Sequence, residues 1–299
     1  MSRILVTGTN GQLGFELLRS LAGQGEVVEA GRERMNLSDP DSIRRTLREV
    51  RPDLIVNAAA YTAVDQAESE PDLAMAVNGI APGLMAEEAQ RLGAALIHYS
   101  TDYVFDGTKG TPYTEDDAPC PISVYGRSKL EGERAIKAVG APYLILRTSW
   151  VYGMRGKNFL LTILRLAKER DELRIVDDQI GAPTWSRAIA RATKGILERL
   201  GYGKQGFIEA CAGQSGIYNL TAAGQTSWHG FTAAIIQNAL NPGNRLLDRA
   251  PLLTPISTEQ YPLPALRPPY SVLANAKLQR AFGVVMPDWK GSLAECMRK

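Results

Sequence analysis

The feature that most constrains the fold lies near residue 1, where an apolar run leads directly into three regularly spaced glycines. Residues 4–7 are rich in β-branched side chains, which favour a strand. Gly8, Gly11 and Gly14 follow, and residues 12–21 have helical spacing. Glycine lets the chain turn sharply and lets a helix approach a strand closely. We therefore predict a strand–turn–helix unit here.

The first half of the chain continues this alternation of strands and helices. We predict strands at residues 4–7, 26–30, 54–56, 95–99 and 143–147. We predict helices at residues 12–21, from a cap at Asp39 or Asp41 to Val50, from Pro71 to about Leu92, and at 123–138. Nearly continuous apolar strands indicate a parallel sheet that helices cover on both faces. The predicted fold class is α/β, with a Rossmann-type doubly wound parallel sheet.

The chain changes character after Trp150. Residues 158–168 and 187–200 have helical spacing, and residues 201–230 are rich in Gly, Ser and Gln. Several prolines between residues 251 and 269 exclude a long regular element there. We assign residues 1–150 to the sheet domain and 151–299 mainly to a smaller C-terminal region that covers the ligand edge of the sheet. We expect the later chain to return to the first domain.

Composition excludes several classes of protein. The 34 basic and 32 acidic residues nearly balance, which is not typical of a nucleic-acid-binding protein. No apolar run approaches the roughly 20 residues that span a bilayer, and the first residues lack the apolar stretch of a signal peptide. Cys120, Cys211 and Cys296 are too dispersed for a disulfide framework or a zinc site. We expect a cytoplasmic protein with no metal site and no nucleic-acid or membrane partner.

The glycine turn also predicts a ligand. Gly8 permits the tight turn, Gly11 lets backbone amides approach a pyrophosphate, and Gly14 lets the helix pack against the strand. The helix N-terminus then faces the anion. Glycine triplets also occur in plain strand–helix turns, but this one has the required strand before it and helix after it. We therefore predict that residues 1–150 form a dinucleotide-binding domain.

The end of the second predicted strand indicates which dinucleotide binds. An acidic residue there would bind the ribose hydroxyls of NAD, whereas an arginine would favour the phosphate of NADP. Gly31 occupies the acidic position and Arg32 follows it; a guanidinium suits a phosphate dianion. We predict NADPH as cofactor, and NADH stays possible because Glu29 or Glu33 could serve NAD. Small residues at 57–60 leave space where a cofactor could lie.

A tyrosine and a lysine four residues apart predict the chemistry. Tyr125 and Lys129 share one face of a helix. A free tyrosine has a pKa near ~10, and a neighbouring ammonium is expected to lower it. Such a phenol becomes a general acid or base for a carbonyl/alcohol pair, and the lysine can also hold the nicotinamide ribose. An isolated match of this kind is common, but the glycine turn upstream favours a nicotinamide-dependent reductase.

Polar residues follow the fourth predicted strand, at the edge where ligands bind in parallel sheets. Ser100 and Thr101 both qualify as the hydroxyl that would hydrogen-bond a substrate oxygen. We interpret His98 as a residue that packs within the strand rather than a catalytic one, because strand residues alternate between faces. We expect His229 to lie in a loop, and the sequence shows no recognisable partner for it.

Four motifs together resemble the extended short-chain dehydrogenases: GTNGQLG, STDYVFDG, YGRSK and RTSWVYG. More closely, and almost end to end, the chain is similar to the dTDP-4-dehydrorhamnose reductase family, which adds NAAAYTAVD, AESEP, DQIGAPT and an Arg-Pro pair at 267–268. The resemblance implies NAD(P)H-dependent reduction of the 4-keto group of dTDP-4-dehydro-L-rhamnose to dTDP-L-rhamnose, a precursor of cell-surface polysaccharide. It also implies a nucleotide-sugar substrate and a monomer or homodimer.

The resemblance also implies roles for individual residues. The implied catalytic residues are Tyr125 as proton donor, Lys129 as ribose ligand and tuner of Tyr125, and Thr101 as the third member of the triad. The implied cofactor contacts are Gly11, Gln12, Leu13, Ala59, Ala60, Tyr61, Tyr125 and Lys129. The glycine turn and the end of the second strand add Gly8, Gly14 and Arg32 to the predicted cofactor contacts. The implied substrate contacts are Thr101, Asp102, Trp150 and Arg267.

The chain departs from some relatives at three positions. Gly31 and Asn36 replace acidic residues, which puts strict use of NAD in doubt. Arg187 lies about where some relatives have a glutamate that holds magnesium at a dimer interface. We therefore predict no metal there, although Glu16 alone could suggest one.

Other functions on this scaffold fit the sequence less well. The resemblance implies that a 4,6-dehydratase has the sequence Thr-Asp-Glu where this chain has Thr101, Asp102 and Tyr103. Because Tyr103 replaces that glutamate, dehydration is disfavoured. A sugar-nucleotide 4-epimerase retains tightly bound NAD, which the arginine after the second strand mildly disfavours. A non-catalytic NADP-binding regulatory subunit, like the beta subunit of methionine adenosyltransferase, is the alternative from another class. The intact Thr101, Tyr125 and Lys129 disfavour it.

Overall fold

A parallel sheet of six strands forms the centre of the computed structural model, which describes residues 2–298. The strands of the chain are β1 Arg3–Thr7, β2 Glu26–Ala30, β3 Leu54–Asn57, β4 Ala95–Thr101, β5 Tyr143–Thr148, β6 Val151–Tyr152, β7 Glu172–Val176, β8 Ile180–Gly181, β9 Thr184–Trp185, β10 Gly216–Asn219, β11 Thr226–Ser227 and β12 Leu252–Ile256. The central sheet has the order β2-β1-β3-β4-β5-β10. The order reverses at β1 and β3, and such a switch point is where open α/β sheets bind ligands.

Helices follow the strands as predicted. They are α1 Gln12–Leu21, α2 Pro40–Val50, α3 Val64–Ala67, α4 Pro71–Met75, α5 Ala81–Leu92, α6 Val124–Val139, α7 Phe159–Glu169, α8 Ser186–Leu200, α9 Phe207–Gly213, α10 Trp228–Leu240, α11 Ala276–Phe282 and α12 Trp289–Met297. A π-helical turn, Ala76–Ile80, joins α4 to α5, so the single predicted helix from Pro71 is interrupted. Short 3₁₀ turns occur at Asp102–Val104 and Thr258–Gln260.

The cap of α2 illustrates how local sequence sets an element's start. The Asp39 carboxylate accepts hydrogen bonds from the backbone amides of Asp41 and Ser42, and Pro40 occupies the first helical turn. These bonds satisfy donors that have no partner within the helix. Of the two candidate caps, Asp39 is therefore the one that begins the helix.

Both faces of the sheet are buried, which confirms the doubly wound α/β fold. Ile4 and Val6 of β1 face one core, which also contains residues of α1 and α8. Leu5, between them, faces the other core, with residues of α2 and α5. Because successive side chains of a strand point to opposite faces, burial on both sides requires the continuous apolar runs seen in the sequence.

The second half of the chain returns to this sheet. β10 pairs in parallel with β5, with Gly216 beside Leu144, and becomes the edge strand. Helix α8 packs against α1. Three two-stranded pairs, β7 with β12, β8 with β11 and β6 with β9, lie outside the central sheet. The division into residues 1–150 and 151–299 stays a prediction. Within residues 2–298, no helix combines the length and hydropathy that crossing a bilayer needs.

Candidate active site

The glycine turn after β1 is packed as tightly as its spacing predicts. Gly8 has φ +66°, a left-handed conformation, and a Cβ there would lie 2.8 Å from the backbone of Ala59. A Cβ on Gly14 would lie 2.2 Å from the Gly8 carbonyl oxygen, so Gly14 serves the packing of α1. Gly11 caps α1 with no side-chain hydrogen bond. The first amides of the helix are thus available to an anion.

A cleft of about 610 Å³ opens beside this turn; we call it the glycine-turn cleft. Its wall includes these predicted cofactor residues: Gly8, Gly11, Gln12, Leu13, Arg32, Ala59, Ala60, Tyr61, Tyr125 and Lys129. Gly14 lies behind this wall. The structure therefore brings together residues from the ends of β1, β2 and β3 and from α6 around one elongated space.

Arg32 differs from its charged neighbours in its position relative to the cleft. Gly31 and Arg32 line the cleft, whereas Glu29 and Glu33 do not. Among the residues that the structure describes, Arg32 has no ion-pair partner; Arg34 donates to the Glu29 carbonyl oxygen at 3.2 Å. The guanidinium of Arg32 is therefore placed to meet an anionic group in the cleft.

Helix α6 carries the tyrosine–lysine pair. Ser123 begins the helix by accepting the backbone amide of Gly126 at 3.1 Å. Lys129 is 1% exposed; its Nζ donates to the Tyr99 carbonyl oxygen at 2.6 Å and lies 3.2 Å from His98 Nε2. Burial lowers the pKa of Lys129 to about 8, although the nearby Glu133 carboxylate acts in the opposite direction.

The expectation that Lys129 lowers the pKa of Tyr125 is wrong for this structure. Burial raises the pKa of Tyr125 to about 12, and only contact with the Thr101 hydroxyl works against that rise. The reason is the direction of the lysine: its Nζ hydrogen-bonds on β4, to the Tyr99 carbonyl. Desolvation of the phenol therefore outweighs any effect of the ammonium.

Strand β4 is two residues longer than predicted, because Ser100 and Thr101 pair with Arg147 and Thr148 of β5. The two candidate hydroxyls then differ. Ser100 Oγ donates to Glu133 Oε1 at 2.6 Å. Thr101 Oγ1 lies beside Tyr125 and donates to Asp102 Oδ1 at 3.0 Å. Thr101 is therefore the hydroxyl that accompanies the phenol.

Asp102 is 1% exposed and lines neither cavity. Burial raises its pKa to about 6, although the hydroxyl groups of Ser271 and Thr101 oppose the rise. Its Oδ2 has no hydrogen-bond partner among residues 2–298. The predicted contact of Asp102 with substrate stays a prediction.

A second cavity, of about 1080 Å³, lies among α7, β7 and the chain around residues 256–267; we call it the large cavity. Arg267 lies in its wall, with its guanidinium bridging both oxygens of Asp65 at 3.0 and 2.7 Å. Thr62 lines both cavities. Tyr103, also in the wall of the large cavity, packs edge-on against Tyr125, with ring centroids 5.5 Å apart. Tyr125 therefore lies where the two cavities adjoin.

Trp150 does not line the large cavity but packs behind Trp228, which does. Its indole stacks on Trp228 with centroids 3.4 Å apart, and Trp228, which lines the cavity, donates to Gln179 Oε1 at 3.2 Å. Trp150 itself has φ +45°, and a Cβ on Gly181 would lie 2.4 Å from its ring. A strained non-glycine backbone persists only where its surroundings hold it. The predicted contact of Trp150 with substrate stays a prediction.

Sequence reasoning missed two residues beside Lys129. His98 is buried in β4, as expected of a strand residue, but its ring also lies against the lysine Nζ. Glu133 lies one helical turn beyond Lys129, on the same face of α6 as Tyr125. The four-residue spacing from Tyr125 through Lys129 to Glu133 was a signal that could have identified it.

The position where Glu16 could have suggested a metal holds an ion pair. Arg187 Nε lies 2.9 Å from Glu16 Oε2, linking α8 to α1. Within residues 2–298, no cluster of His, Cys, Asp and Glu has the arrangement of a metal site.

Comparisons with known proteins agree with this geometry. The family model described as the RmlD substrate binding domain matches residues 1–299. A dTDP-4-dehydrorhamnose reductase from Burkholderia thailandensis is 50% identical over 303 residues, covering 99% of this chain and 98% of the relative. The enzyme of that name from Escherichia coli K12 is 42% identical over 291 residues, covering 96% and 94%.

Solved structures give the same result. A dTDP-4-dehydrorhamnose reductase from Clostridium acetobutylicum superposes with a TM-score of 0.87 at 38% identity, covering 98% of both chains. One from Bacillus anthracis, solved in complex with NADP, has a TM-score of 0.87 at 34% identity, covering 99% of both. These dTDP-4-dehydrorhamnose reductases are similar to this chain over nearly its whole length. Because the family model also matches residues 1–299, the chain belongs to the RmlD substrate-binding-domain family.

Proposed function

We propose that this chain reduces the 4-keto group of dTDP-4-dehydro-L-rhamnose with NADPH and releases dTDP-L-rhamnose. The observation that carries the proposal is the position of Tyr125, between the glycine-turn cleft and the large cavity. The names of the relatives at 50% and 42% identity support the substrate. The relative solved with NADP supports the cofactor.

The residues of the glycine-turn cleft fit a dinucleotide. A Cβ at Gly8 would meet the backbone of Ala59 and one at Gly14 would meet the backbone of Gly8, so only glycine allows this tight turn. The uncapped start of α1 presents amides to a pyrophosphate. Gly11, Gln12 and Leu13 would hold the pyrophosphate, and Arg32 would bind the phosphate that distinguishes NADPH from NADH. Ala59, Ala60 and Tyr61 would flank the cofactor. When bound, NADPH supplies a hydride to the carbonyl carbon of the substrate.

Tyr125 supplies the proton that completes the reduction. As the carbonyl carbon gains the hydride, the carbonyl oxygen gains the phenolic proton, leaving an alcohol and a phenolate. Because burial raises the pKa of Tyr125 to about 12, the phenol is protonated near neutral pH, which is the state a proton donor needs. Thr101, beside the phenol, would hold the carbonyl oxygen in line with it.

Lys129 serves both the cofactor and the phenol. Its ammonium would bind the ribose hydroxyls and stabilise the phenolate that the transfer leaves behind. In the structure its Nζ bonds to the Tyr99 carbonyl, so a rotation of the lysine side chain toward the cleft precedes both roles.

The large cavity would accommodate the nucleotide sugar. We assign Arg267 to the substrate diphosphate, and Thr101, Asp102 and Trp150 to the sugar. Arg267 lies in the cavity wall, while the Trp150 indole supports the Trp228 ring that forms part of that wall. We further infer a monomer or homodimer in the cytoplasm; the free thiols of all three cysteines are usual for a reducing compartment.

The test follows NADPH oxidation by purified protein supplied with dTDP-4-dehydro-L-rhamnose. We expect stoichiometric formation of dTDP-L-rhamnose. A 4-epimerase would interconvert sugars without net loss of NADPH, and a regulatory subunit would bind NADPH and a partner enzyme without turnover. Either result would overturn the proposal.

A further inference from the structure

A chain of hydrogen bonds crosses three neighbouring strands and ends on Lys129. Thr7, Asn57 and His98 stand side by side on β1, β3 and β4, at one register of the sheet. Lys129 reaches them from α6. All four residues are 1% exposed. Because these four residues are so deeply buried, each hydrogen-bond donor among them needs an acceptor within the protein.

The direction of the chain is set at Thr7. Its Oγ1 accepts the backbone amide of Ala59 at 3.1 Å. The same Oγ1 lies 2.6 Å from Asn57 Oδ1, a length typical of an O–H···O bond and short for an N–H···O bond. The Thr7 hydroxyl therefore donates to the Asn57 carbonyl oxygen, which turns the Asn57 amide nitrogen toward His98.

This orientation assigns the tautomer of His98. The Asn57 amide nitrogen is only a donor, and it lies 3.0 Å from His98 Nδ1, so Nδ1 accepts. Burial and the positive charge of Lys129 hold the pKa of His98 well below its usual value, which keeps the ring neutral. A neutral imidazole whose Nδ1 accepts carries its hydrogen on Nε2. That hydrogen points at Lys129 Nζ, 3.2 Å away.

The two charge states of Lys129 meet this hydrogen differently. A neutral amine has a lone pair that can accept from His98 Nε2 while donating to the Tyr99 carbonyl at 2.6 Å. An ammonium has only donors, so it cannot accept the same hydrogen. Glu133 is the charged group that acts on the lysine, and Tyr125 lies one turn before the lysine on α6. The Glu133 carboxylate is held by Arg147 and Ser100.

We propose that His98 is a positioning residue for Lys129: its Nε2–H holds the neutral amine against β4 and directs the ammonium form toward the cleft and Tyr125. Thr7 and Asn57 act through His98 by fixing its tautomer. The kinetic consequence rests on the proposed function, because it assumes that Lys129 serves NADPH and Tyr125. The tautomer of His98 and the titration of Lys129 do not depend on any substrate.

The first experiment observes the imidazoles of the cofactor-free protein by ¹⁵N NMR. The chain has two histidines, and a His229→Asn variant identifies the signals of the other. We expect His98 to stay neutral, with its hydrogen on Nε2, between about pH 5.5 and 9. A hydrogen on Nδ1, or titration near the ordinary histidine value, would overturn the proposal.

The second experiment follows the ¹³Cε signal of Lys129, assigned by its loss in Lys129→Met. Asparagine at position 98 can reach Asn57 but not Lys129, so we expect His98→Asn to move the titration of Lys129 up by about one pH unit, the effect of one lost hydrogen bond. Glutamine places an amide donor near the former Nε2, so His98→Gln should restore most of the shift. Ile97→Val, a buried change on the opposite face of β4, should leave it unchanged.

The kinetic arm measures kcat/KM against pH for the same variants. We expect the alkaline limb of the profile to move with the Lys129 titration, by about one unit in His98→Asn and little in His98→Gln. Identical Lys129 titrations in the wild type, His98→Asn and His98→Gln would overturn the proposal. The two NMR readouts use no substrate, so they decide it even if the proposed reductase activity is absent.

Discussion

Glu133 and Arg147 form a bidentate ion pair in the interior, directly behind Lys129. Arg147 Nη2 lies 2.7 Å from Glu133 Oε2, and Arg147 Nε lies 2.9 Å from Oε1. Both side chains are 1% exposed. Removing one partner of such a pair leaves an uncompensated buried charge, which is far more costly than the pair's own net contribution.

We therefore expect Glu133→Gln to lower the free energy of unfolding by about 3–5 kcal/mol. The matched control is Glu131→Gln on the same helix. The Glu131 carboxylate pairs with Arg134, and the Glu131 side chain is 45% exposed. Exposed pairs contribute at most about 1 kcal/mol, so the control should lose little. Urea denaturation measures both variants, and equal losses would contradict the role of burial.

Tyr125→Phe removes the proposed proton donor and keeps the ring. We expect kcat to fall by about 10²–10⁴-fold, the usual contribution of a general acid. The affinity for NADPH should change little, because the phenol is not needed to bind the pyrophosphate or the adenosine phosphate. Stopped-flow NADPH oxidation and fluorescence titration of NADPH separate the two effects. Tyr143→Phe, which lies outside both cavities, is the control; full activity in Tyr125→Phe would exclude the mechanism.

Asp102→Asn should stabilise the protein at neutral pH. Burial raises the pKa of Asp102 from 3.8 to about 6, so its protonated form favours the folded state. That stability is fully present below pH 3.8 and is lost as pH rises through about 6. By pH 7 the loss in the free energy of unfolding amounts to about 3 kcal/mol. Asparagine is neutral at every pH, so the variant does not lose this stability.

The measurement compares urea denaturation of the wild type and Asp102→Asn at about pH 4 and pH 7. The variant should gain stability over the wild type mainly at the higher pH. If Asp102 contacts the sugar as proposed, the same variant should lose activity while it gains stability. An equal stability difference at both pH values would show that the Asp102 carboxyl titrates normally.

Arg32→Ala should weaken NADPH selectively. Loss of a charge-assisted contact to the phosphate should lower kcat/KM for NADPH by about 10–100-fold and leave the value for NADH nearly unchanged. Arg34→Ala removes a neighbouring guanidinium that bonds to the Glu29 carbonyl instead of lining the cleft, so it serves as the control. Parallel losses with both cofactors would show that Arg32 supports the fold rather than the phosphate.

Local patterns were sufficient for much of the fold. The bounds of α1 were predicted from helical spacing after the glycine turn, and the structure has the helix at Gln12–Leu21. Patterns that depend on distant neighbours were harder. Residues 201–230 gave little sign of β10, because its place at the sheet edge is set by pairing with β5, about 70 residues earlier in the chain.

The sequence by itself determined the glycine turn and the shared face of Tyr125 and Lys129, because three-residue turn spacing and four-residue helical spacing are local properties of the chain. Only the tertiary structure decided the charge environment of that pair. Strand β4 supplies the Tyr99 carbonyl and His98 that hold Lys129, and burial keeps the pKa of Tyr125 high. Desolvation and hydrogen bonding depend on which distant segments surround a group, and no local pattern encodes that.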